Sequence, residues 1–206
     1  MLLRVVAGLM LLAGVVAFFA YLHTMGELPT ASVAARHLRE MKDRSVTPPL
    51  VTPATYAAIA ALPTGLDVGE YSGIERRAVS LEGHIQRMVR AADDDIHLEL
   101  VPERQMAGEP FHTYVTAEIT PAWRRGSSSW RFPRLVEAFH PTLGGVTPWE
   151  GGTRRVRISG WLLFDYEYEP ERLSANRPRL SSWEIHPVTR IEVWNDSTGG
   201  YQDDPR

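Results

Sequence analysis

The sequence predicts a mainly β protein: a five-stranded Greek-key barrel of the OB type, with one helix between its third and fourth strands. Three observations predict it. Stretches of alternating apolar and polar residues recur in the order strand, strand, strand, helix, strand, strand. The first and fourth strands each carry a mid-strand glycine, Gly83 and Gly160, where a barrel strand must bend. The last stretch, 183–194, reads WEIHPVTRIEVW and has the pattern of a closing strand. Five strands at this spacing cannot bury both faces of an open sheet, and closure removes the exposed edges.

The elements follow in order. The chain opens MLLR and continues through 5–22 without a charge, a run of 18 residues. A positive end before an apolar run of that length predicts an uncleaved anchor over 1–25 with its amino terminus inside. A cleavable signal peptide is the alternative, although no A-x-A site follows. Residues 26–70 read as a helical, proline-rich tether. Val33, Ala34, Leu38 and Met41 have helical spacing within 31–44. Thr52 before Pro53 reads as the cap of a short helix over 53–62. The barrel domain is placed at 71–206.

The first strand spans 77–91, with Val79, Leu81, Ile85 and Val89 on its inner face. After the turn Asp93-Asp94-Asp95, strand two spans 96–101 with Ile96, Leu98 and Leu100 inward. Strand three spans 114–120 with Val115, Ala117 and Ile119 inward. A helix is expected over 127–140, capped by Ser128 or Ser129, with Pro133 in its first turn and Leu135, Val136 and Phe139 on its apolar side. Strand four, 155–165, turns Val156, Ile158, Leu162 and Phe164 inward. The closing strand turns Ile185, Ile191 and Val193 inward. Pro187 has no N–H to give the ladder, which predicts a bulge at that point. His186 is then expected to be structural: its imidazole would serve backbone groups the bulge leaves unpaired, and Glu184 on the same face would hold its tautomer. Trp183 and Trp194 flank this strand and are expected to be partly exposed.

The strings LEGHIQRMVRAADDDIHLEL, AEITP, VRISGWLLFD and WEIHPVTRIEV resemble a group of exported bacterial OB-fold proteins. That group carries a D-x-H-L segment in strand two and a W-E-I-H-P-V segment in the last strand. The resemblance covers about residues 76–194. It implies export and a barrel, and it brings no reaction with it.

Composition and motifs narrow the function. The chain has 206 residues, 44% of them hydrophobic and 23% charged, enough for one core and an appendage. A net charge of −3 lacks the basic excess of a nucleic-acid footprint. Lys42 is the only lysine and cysteine is absent, which excludes a disulfide framework, thiolate metal sites and a thiol nucleophile. The glycine-rich loop 143–152 has no following lysine and is not a phosphate loop. Asp93–95 lacks the spaced pattern of a calcium loop. No G-x-S-x-G elbow is present.

The customary ligand face of an OB barrel is the outer side of strands two and three. Here it would show His97, Glu99, Tyr114, Thr116 and Glu118, an acidic surface with one aromatic. A single-strand binder needs arginines and stacking aromatics instead. The leading reading is a non-enzymatic OB module tethered to the inner membrane, facing the periplasm, and binding a protein, peptide or envelope component. No cofactor is expected on that reading. Asp95, His97, Glu118 and His186, with Glu184 beside them, are also ligand types for a divalent metal, and a metal-dependent enzyme is the rival. Nucleic-acid binding is a third reading. Convergence of those side chains would favour the metal; a continuous stripe of Arg87, Arg90, Arg154, Arg155 and Arg157 would favour nucleic acid.

Overall fold

The computed structural model describes residues 33–106, 108–127, 130–142, 149–168 and 179–203. The expected anchor over 1–25 lies outside them, as do the proposed helix caps Ser128 and Ser129. Among the described residues no helix is long and apolar enough to cross a membrane. The chain divides into two units, Met1–His37 and Leu38–Arg206, and the second holds the fold.

Five strands close a barrel. They are β2 (Ala78–Arg90), β3 (Ile96–Val101), β4 (Val115–Ile119), β5 (Arg155–Phe164) and β6 (Trp183–Asn195). The first half of β2 pairs antiparallel with β5, from Ala78↔Trp161 to His84↔Arg155. Its second half pairs with β3, from His84↔Val101 to Arg90↔Ile96. β3 pairs with β4, β4 runs parallel to β6 at Ala117↔Ile185, and β6 returns antiparallel to β5. That circuit is the OB order. Gly83 sits where β2 changes partner. A Cβ there would collide with the carbonyl of Val101 and the hydroxyl of Tyr56, so the close approach requires glycine.

The inward residues of β3 to β6 lie in the core as the alternation requires, with Ile96, Leu98, Val115, Ala117, Ile158 and Ile185 each fully buried. β2 departs from the expected faces. Gln86 is an extra residue between the pairs Ile85↔Leu100 and Arg87↔Glu99. A one-residue bulge swaps the faces beyond it. Met88 therefore enters the core and Val89 is turned out, 36% exposed.

The expected helix lies between β4 and β5. A single turn, α4 (Pro121–Arg125), precedes α5 (Phe132–Phe139). α5 starts at Phe132, later than the serines suggested, with Pro133 in its first turn as expected, and Leu135, Ala138 and Phe139 plug the barrel. His140 ends it in the left-handed region at φ 52°, donating its N–H to the carbonyl of Val136 at 3.0 Å.

The stretch read as a tether packs on the barrel from Arg44 onward. The helix α1 (Val33–Lys42) forms where the spacing put it. Thr52 and Pro53 do not cap a helix. They belong to β1 (Val51–Ala54), which runs parallel to β2 with Thr52↔Val79 and Pro53↔Ser80. Proline is tolerated there because β1 is an edge strand. The cap is Thr55, whose Oγ1 accepts from the Ala58 N–H at 3.1 Å and opens α2 (Tyr56–Ala60). α2 buries Ile59 to 1% exposure. α3 (Val68–Glu75) then lays Tyr71 flat on Phe164, ring centroids 3.9 Å apart. Three indoles fasten the segment: Trp123 donates to the carbonyl of Arg44, Trp161 to that of Val46 and Trp183 to that of Pro63. Trp183 is fully buried, contrary to its expected exposure, because α3 and the chain before it cover that end of β6. Trp194 is half-buried under Tyr201 of a seventh strand, β7 (Gly200–Asp203), which pairs with β6.

Candidate functional site

The bulge in β6 aims the most distinctive side chain. β5 places one residue, Trp161, between its partners for Val188 and Ile185, while β6 places two, His186 and Pro187. The carbonyl of His186 accepts from Arg44 Nη2 at 2.7 Å; the same guanidinium also serves the carbonyls of Leu162 and Glu75. The imidazole is thus not needed for the backbone. Arginine takes that task, and the ring faces side chains instead of the backbone groups expected of it.

Those side chains are Asp95 and Glu118. Asp95 ends the β2–β3 turn. Asp94 adopts the left-handed conformation there at φ 74°, Asp95 N–H donates to Asp93 Oδ1, and Asp95 C=O accepts from Ala91 N–H. Arg90 and Arg124 clamp Asp94 from either side. Glu118 is the register partner of His97 across β3 and β4. His186 Nε2 lies 3.3 Å from Asp95 Oδ2 in hydrogen-bond geometry, and 3.0 Å from Glu118 Oε2. His97 Nε2 lies 3.0 Å from Glu118 Oε1. Asp95, Glu118 and His186 are at most 5% exposed and His97 is half-buried. The three buried residues form a triad whose ligand-type atoms all lie within 4.8 Å of one another.

Burial disfavours charge on His186, but the hydrogen bond to Asp95 and the adjacent Glu118 outweigh it and raise its pKa to about 9. Burial acts on Glu118 too, and is outweighed by its contact with His186, which holds its carboxyl low. Glu184 is not beside the imidazole as a tautomer lock. It pairs with Arg179 Nη1 at 3.2 Å, and the same nitrogen lies 3.3 Å from Asp165 Oδ2. The Arg179 guanidinium also stacks 3.4 Å over the Tyr168 ring. Burial pushes the Glu184 pKa up, and the charges of Glu118 and Asp165 add to that. Burial lowers the Lys42 pKa, and Glu118, Glu184 and Asp165 more than reverse it. Arg179, Asp165 and Lys42 were missed in the sequence. Lys42 was visible as the lone lysine of an arginine-rich chain, but nothing local tied it to β4.

The customary ligand face is closed. Glu99 is 3% exposed, Tyr114 7%, Thr116 2% and Glu118 1%. Glu99 accepts from Arg87 Nε at 2.6 Å and Gln86 Nε2 at 3.0 Å. Arg179 and Leu180 run alongside Tyr114, with the Leu180 N–H donating to its carbonyl at 2.7 Å. The arginine stripe does not form as a free surface. Arg87 pairs with Glu99, Arg90 with Asp94, and Arg155 and Arg157 with Glu82.

An open surface lies elsewhere. A groove of about 450 Å³ runs between β1, α2 and the end of β5. Ile59, Leu62, Trp161 and Leu162 line it, Leu50 stands at its edge 74% exposed, and Arg76 and Arg77 flank it. Among the described residues neither arginine has a carboxylate partner, and β1 is the last strand on its side of the sheet.

No family model matches the chain, and no curated protein matches it. Among solved structures it is similar to the asparaginyl-tRNA synthetase of Entamoeba histolytica, at 16% identity and a TM-score of 0.39. The match covers 76% of this chain and 25% of that one, so the chain spans about a quarter of the synthetase. The OB assignment rests on the strand pairing and not on this likeness.

Proposed function

We propose that the protein is an OB-fold binding module, held outside the cytoplasm by its N-terminal apolar segment, that takes an extended peptide of a protein partner. The observation that carries this is the groove beside β1. An apolar groove at the start of a sheet takes a peptide through side chains that enter it. A peptide seated there would put its apolar side chains against Ile59, Leu62 and Trp161, and any carboxylates near Arg76 and Arg77. The ligand class is therefore apolar and acidic. Closure of the customary face supports moving the contact surface to this groove.

The uncharged run at 5–22 supports the inner membrane as the anchoring partner and the periplasm as the compartment, in keeping with the resemblance to exported bacterial proteins. Nucleic acid is disfavoured by the pairing of four of the five candidate stripe arginines with carboxylates. The metal-dependent enzyme gains the convergence of Asp95, Glu118 and His186 but loses access, since exposures of 0–5% leave a substrate no face on that triad.

Two experiments test the proposal. Random peptides displayed against the chain should enrich sequences with an apolar anchor flanked by Asp or Glu; enrichment of basic or featureless sequences would refute the ligand class. Alkaline phosphatase fused after Arg206 should be active in a bacterial host. A stable, inactive fusion would refute export.

A further inference from the structure

We infer that Asp95, Glu118 and His186 form a site for one divalent first-row transition ion, of the zinc or manganese class, that ties three parts of the barrel together. The ligands come from the turn before β3, from β4 and from the bulge of β6. Ions of this class bind nitrogen and oxygen at about 2.0–2.2 Å, and two ligands on one such ion stand about 3.0–3.5 Å apart. The separations from His186 Nε2, 3.0 Å to Glu118 Oε2 and 3.3 Å to Asp95 Oδ2, fall in that interval.

A second observation is independent of the spacing. Glu118 Oε2 is buried and makes no well-aligned hydrogen bond: its neighbour is His186 Nε2 at 3.0 Å, whose hydrogen bond goes to Asp95 Oδ2. A carboxylate oxygen buried without a donor costs stability, and a cation at the centre of the triad would satisfy it. His186 Nδ1 also lacks a partner, but it carries a proton both in the charged ring and in a ring bound to metal through Nε2, so it does not discriminate. His97 fits as an outer support: its Nε2 holds Glu118 Oε1 and leaves Oε2 to the centre.

The ligand chemistry sets the class. An imidazole with two carboxylates suits the borderline ions, whereas calcium takes about six to eight oxygens at longer range. Burial makes the ion a structural tie, separate from the groove beside β1.

The test uses the full chain in mild detergent, stripped with a chelator and then given zinc chloride or calcium chloride. One zinc per chain should survive gel filtration and raise the melting temperature by about 5–10 °C at a hundredfold excess over Kd. Calcium should not be retained. Zinc-edge X-ray absorption on the wild-type protein should show one imidazole among oxygen ligands. Glu118→Gln should abolish retention. Failure of the wild type to retain zinc would overturn the site, as would retention undiminished by Glu118→Gln or a shell with two or more imidazoles. The absorption spectrum needs no variant and decides the matter even if Glu118→Gln does not fold.

Discussion

At the scale of single residues, the strongest constraints come from close approach and from buried charge. A Cβ on Gly160 would meet Ile185 Cγ2 at 2.7 Å and Val188 Cα at 3.0 Å, besides the carbonyl of Pro187. Gly160→Ala should therefore cost about 1–3 kcal/mol, read as a lower urea midpoint; an unchanged midpoint would mean that β5 and β6 are not in this register. His186→Leu removes the group that faces two buried carboxylates and should cost about 3–5 kcal/mol. Thermal melts of the metal-free protein measure this, and tolerance of leucine would show that the imidazole does not hold Asp95 and Glu118. Some of this was legible. The E-x-H spacing put Glu184 and His186 on one face, and Pro187 signalled the bulge. What the ring faces was not legible, because Asp95 and Glu118 reach it through the parallel β4–β6 pairing, and no local pattern encodes a contact between residues 117 and 185.

At the scale of elements, alternation located every barrel strand, and it failed where the backbone inserted a residue. Gln86 is polar, fits the outer face by parity, and gives no sign of being a bulge; Val89 was misplaced for that reason. The proline-rich stretch failed differently. Thr52-Pro53 satisfies the local rule for a helix start, but β1 gains ladder bonds to β2 that the local rule cannot see. Ile59 provides the test. As a tether residue it would tolerate truncation; as a core residue 1% exposed it should not. Ile59→Ala should cost about 2–5 kcal/mol. A loss below about 0.5 kcal/mol, the level of an ordinary surface change, would mean that the segment is not docked.

At the scale of the whole molecule, the strand order was readable because each strand has a local period, and the mid-strand glycines fell where the barrel bends. The closure of the customary face was not readable. Glu99, Thr116 and Glu118 occupy outward positions by parity, yet the segment entering β6 and the Arg87 and Gln86 side chains cover them. With that face shut and the groove beside β1 open, the central claim is that ligands meet this barrel at β1. The most direct measurement is fluorescence anisotropy of a labelled acidic–apolar peptide, selected as above, against the wild type and two variants. Binding should weaken about tenfold or more in the double variant Arg76→Glu, Arg77→Glu, equivalent to about 1.4 kcal/mol, and stay unchanged in His97→Ala on the customary face. Loss of binding in His97→Ala, with the arginine variant unaffected, would contradict the account.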